Sequence, residues 1–243
     1  MRIGTLLGQT RVEFLLTVRR AESLLVTVGI PIGVLVFFAK VDAANTSLDK
    51  PIDFLVPGVL ALAVMSTAMV SLGIATGYER RYGVLKRLGS TPLSRAGLIA
   101  AKTLNVVLIE LVQAAVIVTV GLALGWSTTA RVVPAVGLLL VGTVAFAGVG
   151  MLLAGTLRAE ANLAVANALF LGLLFLGGMA YPLDRLPRAM EMLARALPAA
   201  ALAESVRDVL TPGESFPLAS VLVLVGWAIG APLAAARWFR WEE

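Results

Sequence analysis

Few residues of this 243-residue chain could do covalent or acid–base chemistry. It has no Cys and no His, which removes disulfides, thiol nucleophiles, thiolate metal sites and the commonest acid–base and zinc chemistry. The acidic residue that stands out is Glu110, set in the apolar run VLIELVQ. An ionised acid at the centre of a bilayer costs roughly 2.5–3.5 kcal/mol on insertion scales, so Glu110 has to face protein or water rather than lipid. Thr103, Glu110 and Gln113 fall on one helical face, with Asn105 less well aligned. Two readings stand: a polar strip on a translocation path or subunit interface, or a protonated, hydrogen-bonded Glu between helices of one subunit. Asn162 and Asn167 are weaker candidates of the same kind.

Phosphate chemistry is the other possibility, and it fails on spacing. A phosphate-binding loop needs G-x-x-x-x-G-K-[ST], in which glycines let the backbone amides close on the phosphates and the lysine reaches them. The nearest approach, GLIAAKT at 97–103, lacks the second glycine, has its lysine one position early and enters an apolar run. The chain is therefore expected to bind no cofactor and no metal, and not to be an enzyme.

The elements that must carry these residues are membrane helices. Hydrophobic residues make up 59% of the chain and charged ones 14%, against about 45–50% and about 25% in soluble domains. Separate apolar runs of roughly 20 residues match the thickness of a hydrocarbon core of about 30 Å. The pattern predicts an all-α polytopic membrane protein of one domain, 1–243, with six transmembrane helices at 23–39, 54–77, 103–124, 132–157, 161–181 and 216–236. Residues 1–20 read as an N-terminal interfacial amphipathic helix, since Ile3, Leu6, Leu7, Phe14 and Val18 share a face opposite Arg2, Gln9, Glu13 and Arg20. Trp126 sits at an interface-like position in the turn after 103–124. Residues 182–215 are too charged and too often broken by proline to span, and read as paired short amphipathic helices, extracellular or re-entrant.

Six spans put both termini on one side. With the termini cytoplasmic, that side holds Arg2, Arg11, Arg19, Arg20, Arg80, Arg81, Lys86, Arg87, Arg95, Lys102, Arg158, Arg237 and Arg240, 13 of the 20 basic residues, so the positive-inside rule predicts cytoplasmic termini. The net charge of +5 is then a matter of topology rather than of nucleic-acid binding.

The basic interruption at 78–102, YERRYGVLKRLGSTPLSRAGLIAAK, joins the second and third spans. Residues 79–88 are expected to be helical, with Gly89 as a stop, Thr91 as a cap and Pro92 opening the next helix. Here the chain resembles the permease subunits of ABC-2-type (ATP-binding-cassette) exporters, in the drug or lipid efflux branch. Glu79, Arg80, Arg81, Gly83, Leu85, Lys86, Leu88, Pro92, Leu93, Ser94 and Arg95 match that family's segment between spans 2 and 3. Tyr181, Pro182, Leu186, Pro187, Pro198, Glu204 and Arg207 look like its second signature, before the last span.

The resemblance implies a short cytoplasmic coupling helix that docks in the cleft of a separate ABC ATPase. That subunit, in two copies per complex, would hold the ATP and Mg. The coupling residues would be Glu79, Arg80, Arg81, Leu85, Lys86, Arg87, Leu88 and Pro92, with Leu85 and Leu88 as apolar anchors and the basic residues at the rim. Pro198, Glu204 and Arg207 would belong to outer gate helices, although Glu204 and Arg207 could equally be a solvated pair. The partners would be a second permease copy as a homodimer, or a paralogous permease as a heterodimer, in the lipid bilayer of a bacterial cell membrane. Few fixed charges among Leu, Val, Ala, Phe and Met favour hydrophobic or amphiphilic cargo, a drug or a lipid. The alternatives are a lipid-linked glycan exporter, or outside the family a stand-alone secondary transporter or a membrane assembly factor.

Overall fold

The computed structural model describes residues 21–41, 51–89, 95–127, 131–179 and 182–240. The interfacial helix expected at 1–20 lies outside them, as do Thr91 and Pro92. The chain forms α1 (Ala21–Val41), α2 (Pro51–Arg81), α3 (Val84–Gly89), α4 (Arg95–Ala123), α5 (Val132–Thr156) and α6 (Ala159–Leu176). A 3-10 turn (Leu183–Arg185), α7 (Arg188–Arg195), α8 (Pro198–Leu210) and α9 (Leu218–Trp238) follow. No strand occurs among the described residues. A helix satisfies its own backbone groups, which is what a chain this apolar requires in a medium without water.

Among the described residues, five helices, α2, α4, α5, α6 and α9, are long and apolar enough to cross a membrane. The expected first span, 23–39, is the helix α1, whose described apolar stretch Val28–Ala39 is shorter than the other five. Helix α2 is central: 83% of its apolar window is buried within the chain, against 17% in α9. It packs on α5, α6 and α8, while α9 lies along most of α5. Small residues permit that approach. A Cβ at Gly148 would lie 2.6 Å from Cδ of Pro232, and one at Gly73 would lie 3.0 Å from the carbonyl oxygen of Gly150.

Several expectations are corrected. Helix α2 continues through Tyr78–Arg81 and α4 begins at Arg95, so the interruption between them is 82–94 rather than 78–102. Residues 79–88 are not one helix: the chain turns at Tyr82–Gly83, where Gly83 takes φ 72°, a region open to glycine and strained for other residues. Lys102 is not in a loop but buried in α4. Trp126 is buried as well, its backbone amide bonded to the carbonyl of Gly121. The sequence also gave no sign that Met65–Ser71, the middle of α2, is π-helical, since MSTAMVS holds neither Gly nor Pro.

Candidate functional site

At one end of the bundle, two ion pairs and a hydrogen bond from a guanidinium tie the last turn of α2 to its neighbours. Glu79 meets Lys102 of α4 at 2.8 Å, with the lysine side chain 2% exposed. The buried Arg80 guanidinium donates to the carbonyl of Leu157, at the C-terminus of α5, where the carbonyl end of the helix dipole favours a cation. Arg81 pairs with Glu160 in the first turn of α6. The backbone of α9 closes the same end, the Arg240 amide donating to the Gly155 carbonyl at 3.1 Å. From this clamp hang the Gly83 turn and α3, with Tyr82, Val84, Lys86 and Arg87 exposed.

The expected roles divide at this point. Leu85 is fully buried in the main core, so it cannot be an exposed anchor for a partner; among the described side chains of this turn and α3, the exposed apolar ones are Tyr82 and Val84. A turn at Gly83 breaks the helix, so the facing that a continuous helix would have given does not hold. Glu79 and Arg80 are internal fasteners rather than rim residues, and only Arg81, Lys86 and Arg87 of the predicted basic set are exposed. The side chain of Leu88 lies outside the described residues.

Halfway along the bundle, α4 turns a polar face inward. Asn105, Glu110 and Gln113 are all buried there, farther along α4 from the clamped Lys102. Thr67, within the π-helical segment, donates to Gln113 Oε1 at 2.9 Å, and Thr143 of α5 donates to Glu110 Oε2. Glu110 and Gln113 are therefore brought together between α2, α4 and α5 of one subunit. Asn162 is elsewhere: it is buried, and its Nδ2 donates to the Gly73 carbonyl at 2.8 Å, pinning α6 to α2. Asn167 is exposed and bonds its own helix at Leu163, 2.8 Å away, so it joins neither group.

At the other end, α7 and α8 form a hairpin that enters the bundle. Glu204 of α8 accepts from Ser220 at 3.2 Å, in the first turn of α9, while the Ala196 carbonyl at the hairpin tip accepts from Trp227 Nε1 at 3.0 Å. Seven residues of helix separate those two contacts, a depth of about 10 Å. Pro198 is the first residue of α8, and Gly142 leaves room on α5 for Leu202, which would lie 2.7 Å from a Cβ there. Glu204 does not pair with Arg207. It takes Arg195 at 3.6 Å, whereas Arg207 donates to the Gly178 carbonyl at 2.7 Å and lies 3.7 Å from the centre of the Phe54 ring. Burial pushes the Arg207 guanidinium down to about 10, opposed by Asp208 and Glu204, and it stays cationic at neutral pH. Burial and then the nearby Glu204 carboxylate push Asp208 up from the usual carboxylate range.

A family model described as ABC-2 type transporter matches residues 9–211. The chain belongs to the ABC-2 type transporter family. No curated protein matches it. The match runs through all of the charged clamp, the central polar face and the α7–α8 hairpin, so each is part of an ABC-2 permease, a multi-pass membrane transport component.

Several contacts within the permease were not foreseen from its sequence. Thr143 carried a signal, being the one polar side chain in the middle of the apolar run 132–155. Thr67 carried little, because a hydroxyl in a span commonly bonds its own helix, as Thr119 does to Ala115. Arg195 and Phe54 carried none, their partners being 9 and 153 residues away.

Proposed function

We propose that this permease is the membrane-spanning subunit of an ATP-driven exporter, with six spans, α1 included, and both termini cytoplasmic in a bacterial inner membrane. ATP and Mg are held by a separate ABC ATPase, two copies of which serve a pair of permeases, identical or paralogous. The turn and short helix from Tyr82 to Arg87 are the surface that the ATPase engages. One observation carries this reading: an exposed, basic, apolar-tipped turn hangs from a helix end that Glu79–Lys102, Arg80–Leu157 and Arg81–Glu160 fasten to three other helices. A push on the turn is then delivered to α4, α5 and α6 together.

Tyr82 and Val84 supply apolar contact in the ATPase cleft, with Lys86 and Arg87 at its rim; this replaces the buried Leu85. The cargo is hydrophobic or amphiphilic, in keeping with the apolar faces of the spans and the few charges within them. Pro198, Glu204 and Arg207 form the outer gate, the α7–α8 hairpin moving against α2 and α9.

Proteoliposomes containing permease and ATPase test the reading. ATP should drive extrusion of an apolar fluorophore, and Tyr82→Asp with Val84→Asp should abolish it while the permease still folds and the ATPase keeps its basal turnover. Extrusion that persists in the double variant, or that needs no ATP, would overturn the proposal.

A further inference from the structure

The contact of Thr143 with Glu110 leaves part of the carboxylate unaccounted for. Oε1 is buried and has no hydrogen-bond partner in the protein. An acceptor left so costs roughly 1–3 kcal/mol, and more if it is charged. Glu110 lies midway along the apolar part of α4, Gly97–Ala123, where no bulk water can make good the loss.

Beside it is a cavity of about 50 Å³ between α2, α4 and α5. Glu110, Gln113 and Thr143 are its polar lining, and Leu60, Val64 and Leu139 are among its apolar walls. On its outward side the lining residues are Leu111, Val136 and Leu140, which are 53%, 41% and 40% exposed. The cavity is thus reached sideways, from the surface that α4 and α5 share, and not from either end of the bundle.

Three properties of the ligand follow from these facts. It donates a hydrogen bond to Oε1, and an ammonium group does this while also stabilising Glu110 as a carboxylate. Its head bears N–H, because a quaternary ammonium has no hydrogen to give to Oε1. Its remainder is apolar and lies along Leu111, Val136 and Leu140. We propose that this cavity is a lateral binding site for single-chain primary amines, the ammonium on Glu110 and the alkyl chain against the outward seam of α4 and α5. That such amines are cargo rests on the export reading above; their binding does not.

The test uses the purified permease in phosphatidylcholine nanodiscs and radiolabelled dodecylamine, with protein-free nanodiscs subtracted. Saturable binding is expected, and losing the charged hydrogen bond in Glu110→Gln should weaken it about tenfold or more. Leu140→Trp, which narrows the outward side without touching Glu110, should weaken it as well and decides the matter if Glu110→Gln does not fold. Dodecyltrimethylammonium should fail to compete. Absence of saturable binding, wild-type binding by the folded variants, or equal competition by dodecyltrimethylammonium would overturn the site. Binding at Glu110 without ATP-driven extrusion of the amine would leave the site standing and count against the export reading. ATP-driven extrusion of an apolar fluorophore with no amine binding would do the reverse.

Discussion

Buried polar side chains find their partners on other helices: Glu110 on Thr143, Gln113 on Thr67 and Asn162 on the Gly73 carbonyl. Glu110 and Gln113 were legible because a charge and an amide in an apolar run are costly and have to be answered by something. What answers them, Thr143 and Thr67, depends on how helices pack and could not be read from spacing along α4. The pair Glu204 and Arg207 failed for a related reason: three residues apart on one helix, they are neighbours, yet the hairpin carries each to a different partner. Asp208, half-buried near Glu204 and Glu214, gives a prediction at this scale. Its folded pKa is raised, so between the unfolded value, about 3.9, and the folded one the native state binds more protons, and stability falls as pH rises through that window. Asp208→Asn should therefore raise the unfolding temperature at pH 7.5 and flatten its dependence on pH across the window. A variant less stable than the wild type at pH 7.5 would show that the ionised carboxylate is favourable there.

Helices were legible where apolar runs were long, and their ends were not. The spans expected at 132–157 and 216–236 are α5 and α9 to within two residues, because Arg131 and Pro217 mark where each helix begins. The ends of α2 and α4 were misplaced by four and eight residues, since charges were taken to end a span when buried partners let the helix continue: Arg80 on Leu157 and Lys102 on Glu79. The Gly83 turn is the element on which the proposed coupling depends. A Cβ there would meet nothing within 4 Å, so Gly83→Ala acts through the backbone alone, at roughly 1–2 kcal/mol for a left-handed alanine. The variant should still fold and insert, and should lose most ATP-driven extrusion because Tyr82 and Val84 are re-aimed. Full transport by Gly83→Ala would mean that the orientation of this turn does not matter.

For the whole molecule, membrane character and family were open to the sequence, through composition and through two motifs in the right order. Less open was how the parts connect. The structure has α2 as its axis, the clamp at one end, the Glu110 group at the middle and the α7–α8 hairpin at the other end, all in contact with α2 or its immediate neighbours. That arrangement lets one end report to the other through a single buried helix, interrupted by a π-helical stretch where it meets Gln113. The proposed coupling requires that an ATPase dock on the turn below α2. Replacing Tyr82 with a photo-crosslinking benzoylphenylalanine, and Val133 at the opposite end as the control, tests it in native membranes. Illumination should join position 82, and not position 133, to a protein whose sequenced peptides carry G-x-x-x-x-G-K-[ST]. A crosslink to such a protein from position 133 alone, or from neither position, would contradict it.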